Sequence, residues 1–97
     1  MTYYDFRSNT PDPSHLETDY WFVRCRSSCS DPLRWSETHV AGPFDMQTAP
    51  YSRGYFVGDY EGLAALGQGF IALFVATNSG DLNNRTDVFA ARIGAGN

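Results

Sequence analysis

The stretch TDYWFVR, residues 18–24, returns near the other end of the chain as TDVFAAR, residues 86–92. The correspondence extends upstream, where each phrase is preceded by an apolar segment, then Asn9 or Asn78, then a turn-rich loop. The order of these features is the same in the two copies, and their spacing differs only in the length of the loop. Self-similarity of this kind is typical of repeat architectures, so we expect the chain to contain two related units.

Short apolar segments bounded by turn residues indicate that these units are made of β-strands. YWFVRC and FIALFVA are apolar on both faces, which is typical of strands buried between two layers. Helix is the alternative for residues 61–77, but Gly62, Gly67 and Gly69 would each cost a helix about 1 kcal/mol relative to alanine. We expect strands over residues 2–6, 19–26, 36–41, 61–66, 69–76 and 86–93.

Turn-forming residues divide the strands into two groups. Pro11 and Pro13 place the segment after the first strand in a loop. Residues 43–60 form a long connection, and loops of this length are usually functional. If the four strands of one sheet are lettered A to D in chain order, the predicted strands follow the order B-C-D-A-B-C. Residues 1–42 contain strands B, C and D of one sheet, and residues 61–97 contain strands A, B and C of the next. The prediction is one all-β domain over residues 1–97, equal to about one and a half such sheets.

Composition and charge exclude several classes of partner. The chain has 97 residues, a net charge of −4 and a sequence pI near 4.8, and all seven of its basic residues are arginine. No cationic stripe could hold a phosphate backbone, so we expect no nucleic acid. The longest apolar run, residues 70–76, is too short to cross a membrane, and no export leader follows Met1. The location is not determined, although a secreted parent protein is expected.

The segment SSCSDPLRWSE connects predicted strands C and D and resembles a degraded Asp-box, the S-x-D-x-G-x-T-W turn of sialidase-type propellers. Ser28 and Trp35 fall at the first and last positions of the motif. Ser30 stands in the place of the aspartate, Asp31 comes one position late, and Pro32 replaces the glycine. Such a box is a structural turn on the rim of a blade, so the match bears on fold and not on catalysis.

A second segment, RGYFVGDYEGLAALGQGFIALFVATNSG, is similar to a part of bacterial sialidases in which a turn containing glycine and tyrosine leads into the innermost strand of a blade. Four-stranded units stacked face to face are the blades of a β-propeller. The resemblance covers nearly the whole chain. It implies the C-terminal part of a bacterial sialidase-like propeller, of the neuraminidase or Asp-box repeat type.

The same resemblance implies candidate catalytic residues. In the sialidases proper, a tyrosine at this strand start is the nucleophile and a glutamate raises its reactivity, while an arginine triad binds the substrate carboxylate and an aspartate is the acid/base. Tyr60 falls at the matching place, with Asp59, Glu61 and Arg53 near it in sequence. We predict Tyr60, Asp59 and Glu61 as catalytic and Arg53 as substrate-binding. No arginine triad can be placed, and the alternative is a packed turn, because neighbouring carboxylates raise the pKa of a phenol.

Asp5 and Arg7 are the remaining candidates for substrate binding. They alternate with Phe6, so their side chains share the face opposite to its ring. Together they could bind a carboxylate or a sugar. The alternative is a local ion pair worth less than about 1 kcal/mol.

Cofactors are not expected. DLNNRTD, residues 81–87, has acidic or amide groups at alternate positions as calcium loops do, but it lacks the glycine and the closing glutamate of an EF-hand. Calcium at this loop is the alternative to no metal. Cys25 and Cys29 could form a disulfide or remain thiols. Zinc is not expected, because a structural site needs four ligands and neither His15 nor His39 lies at finger spacing. Both histidines are expected at the surface.

The predicted function is that of a sialidase-like propeller fragment acting as a weak hydrolase on glycosides or activated esters, at a channel-mouth site formed on assembly. The alternatives are a non-catalytic module that binds carbohydrate, another small molecule or protein, and a purely structural pair of blades. Fewer than about three repeats rarely bury their apolar faces. We therefore expect the chain to associate with itself, as a dimer or as a tetramer with enough strands for a closed ring.

Overall fold

The computed structural model describes residues 1–58, 61–78 and 80–94 and has two antiparallel three-stranded sheets. The described helices are two 3-10 turns, Pro32–Arg34 and Met46–Thr48, and none of the described helices could span a membrane. The first sheet has the strand order β1-β2-β3 and the second β4-β5-β6, with these bounds: β1 Thr2–Asp5, β2 Glu17–Cys25, β3 Trp35–Asp45, β4 Gly62–Leu66, β5 Gly69–Thr77 and β6 Thr86–Ile93.

The all-β prediction is confirmed. The repeated phrase lies in β2 at its first occurrence and in β6 at its second, each time following a loop from an antiparallel neighbour. The helical alternative for residues 61–77 is excluded, because β4 and β5 form a hairpin that turns at Gly67, with φ +61°. A positive φ in so tight a turn favours glycine.

β3 is longer than expected. The strand predicted over residues 36–41 extends through Gly42 and Pro43 to Asp45, so the prediction of its end was wrong. The pairing of β2 with β3 shifts register near Thr18 and Tyr20, opposite the bend at Gly42. A proline is tolerated at such a bulge and on an edge strand, where its missing N–H group removes no hydrogen bond of the sheet.

The two sheets pack face to face around an aromatic core. The Tyr20 ring stacks on Phe74 with a centroid distance of 4.4 Å, and Phe22 lies 5.0 Å from Phe70. The Tyr4 hydroxyl also crosses between the sheets, donating to the carbonyl of Val75 at 2.8 Å and accepting from its N–H at 3.1 Å. The buried hydrophobic cluster comprises Tyr20, Phe22, Phe44, Met46, Ala49, Ala72, Phe74, Ala76 and Ile93.

The outward faces of the two sheets differ in chemistry. Strand pairing places charged, polar and aromatic side chains on the outward face of the first sheet, here called the polar face: Tyr3, Asp5, Asp19, Trp21, Glu37 and His39. The outward face of the second sheet, here called the apolar face, carries Ala64, Ile71, Leu73, Val75, Val88 and Ala90 at its centre, with Arg92 and Thr86 towards the two ends of β6. Leu73 is 46% exposed and Val88 is 71% exposed. β2 therefore has one face covered by the second sheet and the other face polar.

Corresponding loops of the two sheets lie at one end of the molecule, here called the loop end. There the Thr77 hydroxyl donates to the carbonyl of Asp45 at 2.9 Å. The two repeated asparagines both close their loops: the Asn9 side chain accepts from the N–H of Glu17, and the Asn78 N–H donates to the carbonyl of Arg85. The match of Asn9 with Asn78 in the sequence thus has a structural counterpart.

Candidate functional site

The predicted catalytic residues Asp59 and Tyr60 lie outside the described residues. Glu61 is described, is exposed and directly precedes β4. It lies close to two phenols of the core: burial raises the pKa of Tyr20 and of Tyr4, and the Glu61 carboxylate raises both further. Glu61 therefore lies at the margin of the contact between the sheets.

Arg53 lies in the exposed connection between β3 and β4. Its backbone has φ +59°, in the left-handed region, and the turn around it is closed by the N–H of Ser52 donating to the carbonyl of Gly54 at 2.7 Å. Tyr51 and Tyr55 pair across this turn. Within the part of the chain that the structure describes, no contact joins Arg53 to Glu61 or to Asp5 and Arg7.

Asp5 and Arg7 do come together, on the polar face. The Arg7 Nε donates to Asp5 Oδ2 at 2.5 Å, and its terminal nitrogens donate to the Glu37 carboxylate at 3.0 and 3.1 Å. The guanidinium also lies 3.9 Å above the ring of Trp21, whose Nε1 donates to Asp5 Oδ1 at 3.1 Å. Tyr3 completes the group by bonding to both Arg7 and Glu37.

In this arrangement the positive charge of Arg7 is offset by carboxylates of the same chain. Hydrogen bonds from Arg7 and then from Tyr3 lower the pKa of Glu37 to about 2, so the carboxylate is ionised over the whole physiological range. Two carboxylates thus offset one guanidinium, and most of its N–H groups already have acceptors. Asp5 and Arg7 thus form the local ion pair that was the alternative to substrate binding. Glu61 lies on the opposite side of the first sheet from this pair.

A second polar group surrounds a cavity of about 280 Å³ at the loop end. Pro43 and Phe44 supply an apolar wall, and the polar side chains come from the first sheet and the segments next to it. The lining residues are His15, Glu17, Pro43, Phe44, Asp45, Thr48 and, from the loop between β5 and β6, Gly80. No local pattern in the sequence indicated this set, because its residues are distant in sequence and meet through the pairing of β2 with β3, in which Glu17 lies opposite Asp45.

Asp45 is the most strongly held group of this cavity. Its Oδ1 accepts from the N–H groups of Leu16 at 2.9 Å and Gln47 at 3.0 Å, and its Oδ2 lies 3.1 Å from His15 Nδ1. Burial raises the pKa of Asp45, but the two backbone N–H groups and His15 lower it more, so the net shift is downward. The bond to Asp45 in turn raises the pKa of His15.

On the polar face, the structure also joins a buried aspartate to an exposed histidine. The Asp19 side chain is 2% exposed, and its Oδ1 lies 2.7 Å from Nε2 of His39, whose side chain is 42% exposed. Asp19 Oδ2 has no hydrogen-bond partner among the described residues. Burial raises the pKa of Asp19, but the nearby Ser8 hydroxyl and His39 lower it more. His39 was expected at the surface, and no pattern in the sequence indicated a role for Asp19.

The remaining candidates concern metals and thiols. Among the described residues, no three histidine, cysteine, aspartate or glutamate side chains come together as a metal site. In the loop predicted as the calcium alternative, Asp81 accepts from two backbone N–H groups and Asp87 from the side chains of Asn78 and Asn84. Cys25 and Cys29 form a disulfide with a Cα–Cα distance of 5.7 Å.

Comparison with family models, with curated proteins and with solved structures finds no match to this chain.

Proposed function

We propose that this chain is a sialidase-like propeller segment of two neighbouring blades that binds a small neutral carbohydrate at its loop end. The observation that carries the proposal is the cavity of about 280 Å³ where loops of the two sheets meet. A binding module was the alternative to hydrolysis in the sequence prediction, and the cavity favours it because an apolar wall beside a few convergent polar groups is typical of small-molecule sites.

Two features support the propeller part of the proposal. The chain runs through one antiparallel meander and then a second, and the two sheets pack face to face as neighbouring blades do. At the turn that resembles an Asp-box, the Asp31 carboxylate accepts from the N–H of Leu33 and the Trp35 indole donates to the carbonyl of Cys29. Both residues therefore stabilise that turn.

The chemistry of the cavity favours a neutral sugar over an anionic one. A pyranose has an apolar face, which the wall of Pro43 and Phe44 can cover, and hydroxyl groups, which Glu17 and Thr48 can bind. The lining holds two carboxylates, no arginine and one imidazole, which already pairs with Asp45. A sialic acid carboxylate would meet an excess of negative charge there, and like charges held close together cost several kcal/mol.

Titration followed by NMR tests this site. Methyl galactoside and methyl N-acetylglucosaminide are expected to shift resonances of residues 15–17 and 43–48, and methyl sialoside is expected to bind more weakly. Glu17→Gln should weaken binding of the neutral sugars about tenfold or more, because a hydrogen bond to a charged group contributes about 1.5–3 kcal/mol.

Glu37→Gln is the matched control, since it makes the same change on the polar face. Equal effects of the two variants on sugar affinity would rule out the cavity as the site. Tighter binding of the sialoside than of the neutral sugars would contradict the charge argument.

Hydrolysis at Tyr60 is the second candidate function, supported by the position of Glu61 beside Tyr4 and Tyr20 at the start of β4. If the predicted residues act as in sialidases, chromogenic sialosides or glucuronides are turned over slowly. Tyr60→Phe and Asp59→Asn should then abolish turnover without changing binding of the neutral sugars. Turnover unaffected by both changes would remove this site.

Self-association completes the proposal. The apolar face would lie in water in a lone chain, with Leu73 and Val88 largely exposed. The polar face of a second copy does not match it, because that face carries ionised Asp5, Arg7 and Glu37. The apolar face of another copy does match it, and a two-fold axis brings identical surfaces together. A second copy is therefore the occupant that we propose for the apolar face.

A further inference from the structure

We propose that Asp19 and His39 form a general-base pair on the polar face, and that this pair hydrolyses small, uncharged activated esters. The proposal concerns the face opposite to the interface between the sheets. It does not depend on the carbohydrate site, on Tyr60 or on assembly.

The geometry defines which nitrogen of His39 is available. A net lowering of the Asp19 pKa keeps its carboxylate ionised near neutral pH, and an ionised carboxylate can only accept hydrogen bonds. Because Asp19 Oδ1 lies 2.7 Å from Nε2 of His39, that nitrogen carries the hydrogen in the neutral ring. Nδ1 then holds the lone pair, and it makes no hydrogen bond within the described part of the chain.

The surroundings hold this pair in place. Asp19 is 2% exposed, and Gly42 leaves room for it: a Cβ at Gly42 would lie 2.8 Å from Asp19 Oδ1. The His39 ring packs against Trp21 with a centroid distance of 4.9 Å. A buried carboxylate that fixes the orientation and tautomer of a solvent-exposed imidazole is the arrangement by which a histidine is prepared to take a proton.

His15, the other histidine of the chain, provides an internal comparison. It too contacts an aspartate, but Asp45 already accepts two backbone N–H groups. Asp45 therefore has two backbone donors besides its histidine, whereas Asp19 has the Ser8 hydroxyl besides His39. The Asp19 side chain is also the more deeply buried of the two, so we expect it to fix the orientation of His39 more firmly than Asp45 fixes that of His15.

The class of substrate follows from access and charge. The pair lies on an open sheet face, so a small acyl group can approach it without a pocket. The neighbouring charges are the carboxylates of Asp5, Asp19 and Glu37 against the guanidinium of Arg7. This excess of negative charge disfavours anionic esters, so the expected substrates carry neutral acyl groups.

The reaction balances without a cofactor. The oxygen of a water molecule bonds to the ester carbonyl carbon while His39 Nδ1 takes one proton from that water. The tetrahedral intermediate then breaks its bond to the alcohol oxygen, which receives the proton from Nδ1. The products are a carboxylic acid and an alcohol, and His39 returns to its starting state.

Hydrolysis of p-nitrophenyl acetate by the full chain tests the proposal. His39→Gln is expected to lower the second-order rate constant about tenfold, less than the hundredfold typical of an enclosed general base because the face is open to water. Free imidazole at the same concentration measures what one ordinary imidazole contributes, and its second-order rate constant should be several times smaller than the part that depends on His39. A His39-dependent rate constant no larger than that of free imidazole would overturn the proposal.

Asp19 acts as a positioning residue, and its effect on the tautomer of His39 is measured separately. In NMR spectra of the imidazole nitrogens, recorded well above the ordinary histidine pKa, His39 should be a single tautomer with the hydrogen on Nε2. Asp19→Asn should give a mixture of tautomers and lose most of the His39-dependent rate. A mixture already present in the wild-type chain would contradict the assigned role, and that measurement stands even if the Asp19 variant fails to fold.

Discussion

Gly42→Ala is expected to lower the free energy of unfolding by about 3 kcal/mol, the sum of backbone strain and overpacking. Gly42 has φ +111°, a conformation that residues with a Cβ rarely adopt. An added Cβ would also lie 2.7 Å from the carbonyl oxygen of Thr18 and 3.0 Å from the Cα of Asp19. These are atoms of the neighbouring strand, so they cannot move without shifting the pairing of β2 with β3. Urea denaturation measures the change.

Gly58→Ala is the matched control for this prediction. Gly58 has the same φ of +111°, but among the described residues no atom beyond its chain neighbours lies within 4 Å of the position that its Cβ would take. This variant introduces the backbone strain without the steric contact, so it should lower the free energy of unfolding by about 1 kcal/mol. Equal losses in the two variants would show that the contact of Gly42 with β2 contributes nothing to stability.

Leu73→Asp is expected to convert the assembled protein to a monomer. We propose that two copies bury the apolar face, with Leu73 near its centre, paired with Ala90 of β6. An unpaired carboxylate in such an interface costs about 3–5 kcal/mol, which is more than a hundredfold in the dissociation constant. Light scattering at micromolar concentration measures the mass of the two proteins.

Leu33→Asp is the control for the assembly prediction. Leu33 is 91% exposed and lies in a 3-10 turn away from both sheet faces, so the same substitution there should leave the mass unchanged. A well-folded wild-type monomer at micromolar concentration would refute the proposed assembly. A wild-type dimer that Leu73→Asp leaves intact would refute the choice of face.

The sequence was sufficient for the strands that form the core. β5 and β6 lie where the continuous apolar run and the repeated phrase place them, because strands buried on one or both faces need such runs. The end of β3 could not be predicted. Gly42 and Pro43 are typical turn residues, and only the packing of Gly42 against Thr18 and Asp19 makes them part of a strand.

The candidate sites depended on information that the sequence does not carry locally. The contact of Asp19 with His39 follows from the register of β2 with β3, which shifts at a bulge that no local pattern indicates. One signal was available: Glu37 and His39 alternate along β3, so they share a face. The cavity at the loop end depends on the same pairing, which sets Glu17 opposite Asp45, and only Gly80 comes from a loop of the second sheet. The prediction for Asp59 and Tyr60 stays a prediction.

The free edge of β6 has a practical consequence for anyone who concentrates this protein. Within the described residues β6 borders its sheet, and its central side chains Val88, Phe89, Ala90 and Ala91 are apolar and at least partly exposed. A row of open backbone donors and acceptors beside such side chains is a template on which further chains can add one after another. We expect fibrous precipitate to form as the protein is concentrated. Val88→Lys should suppress it.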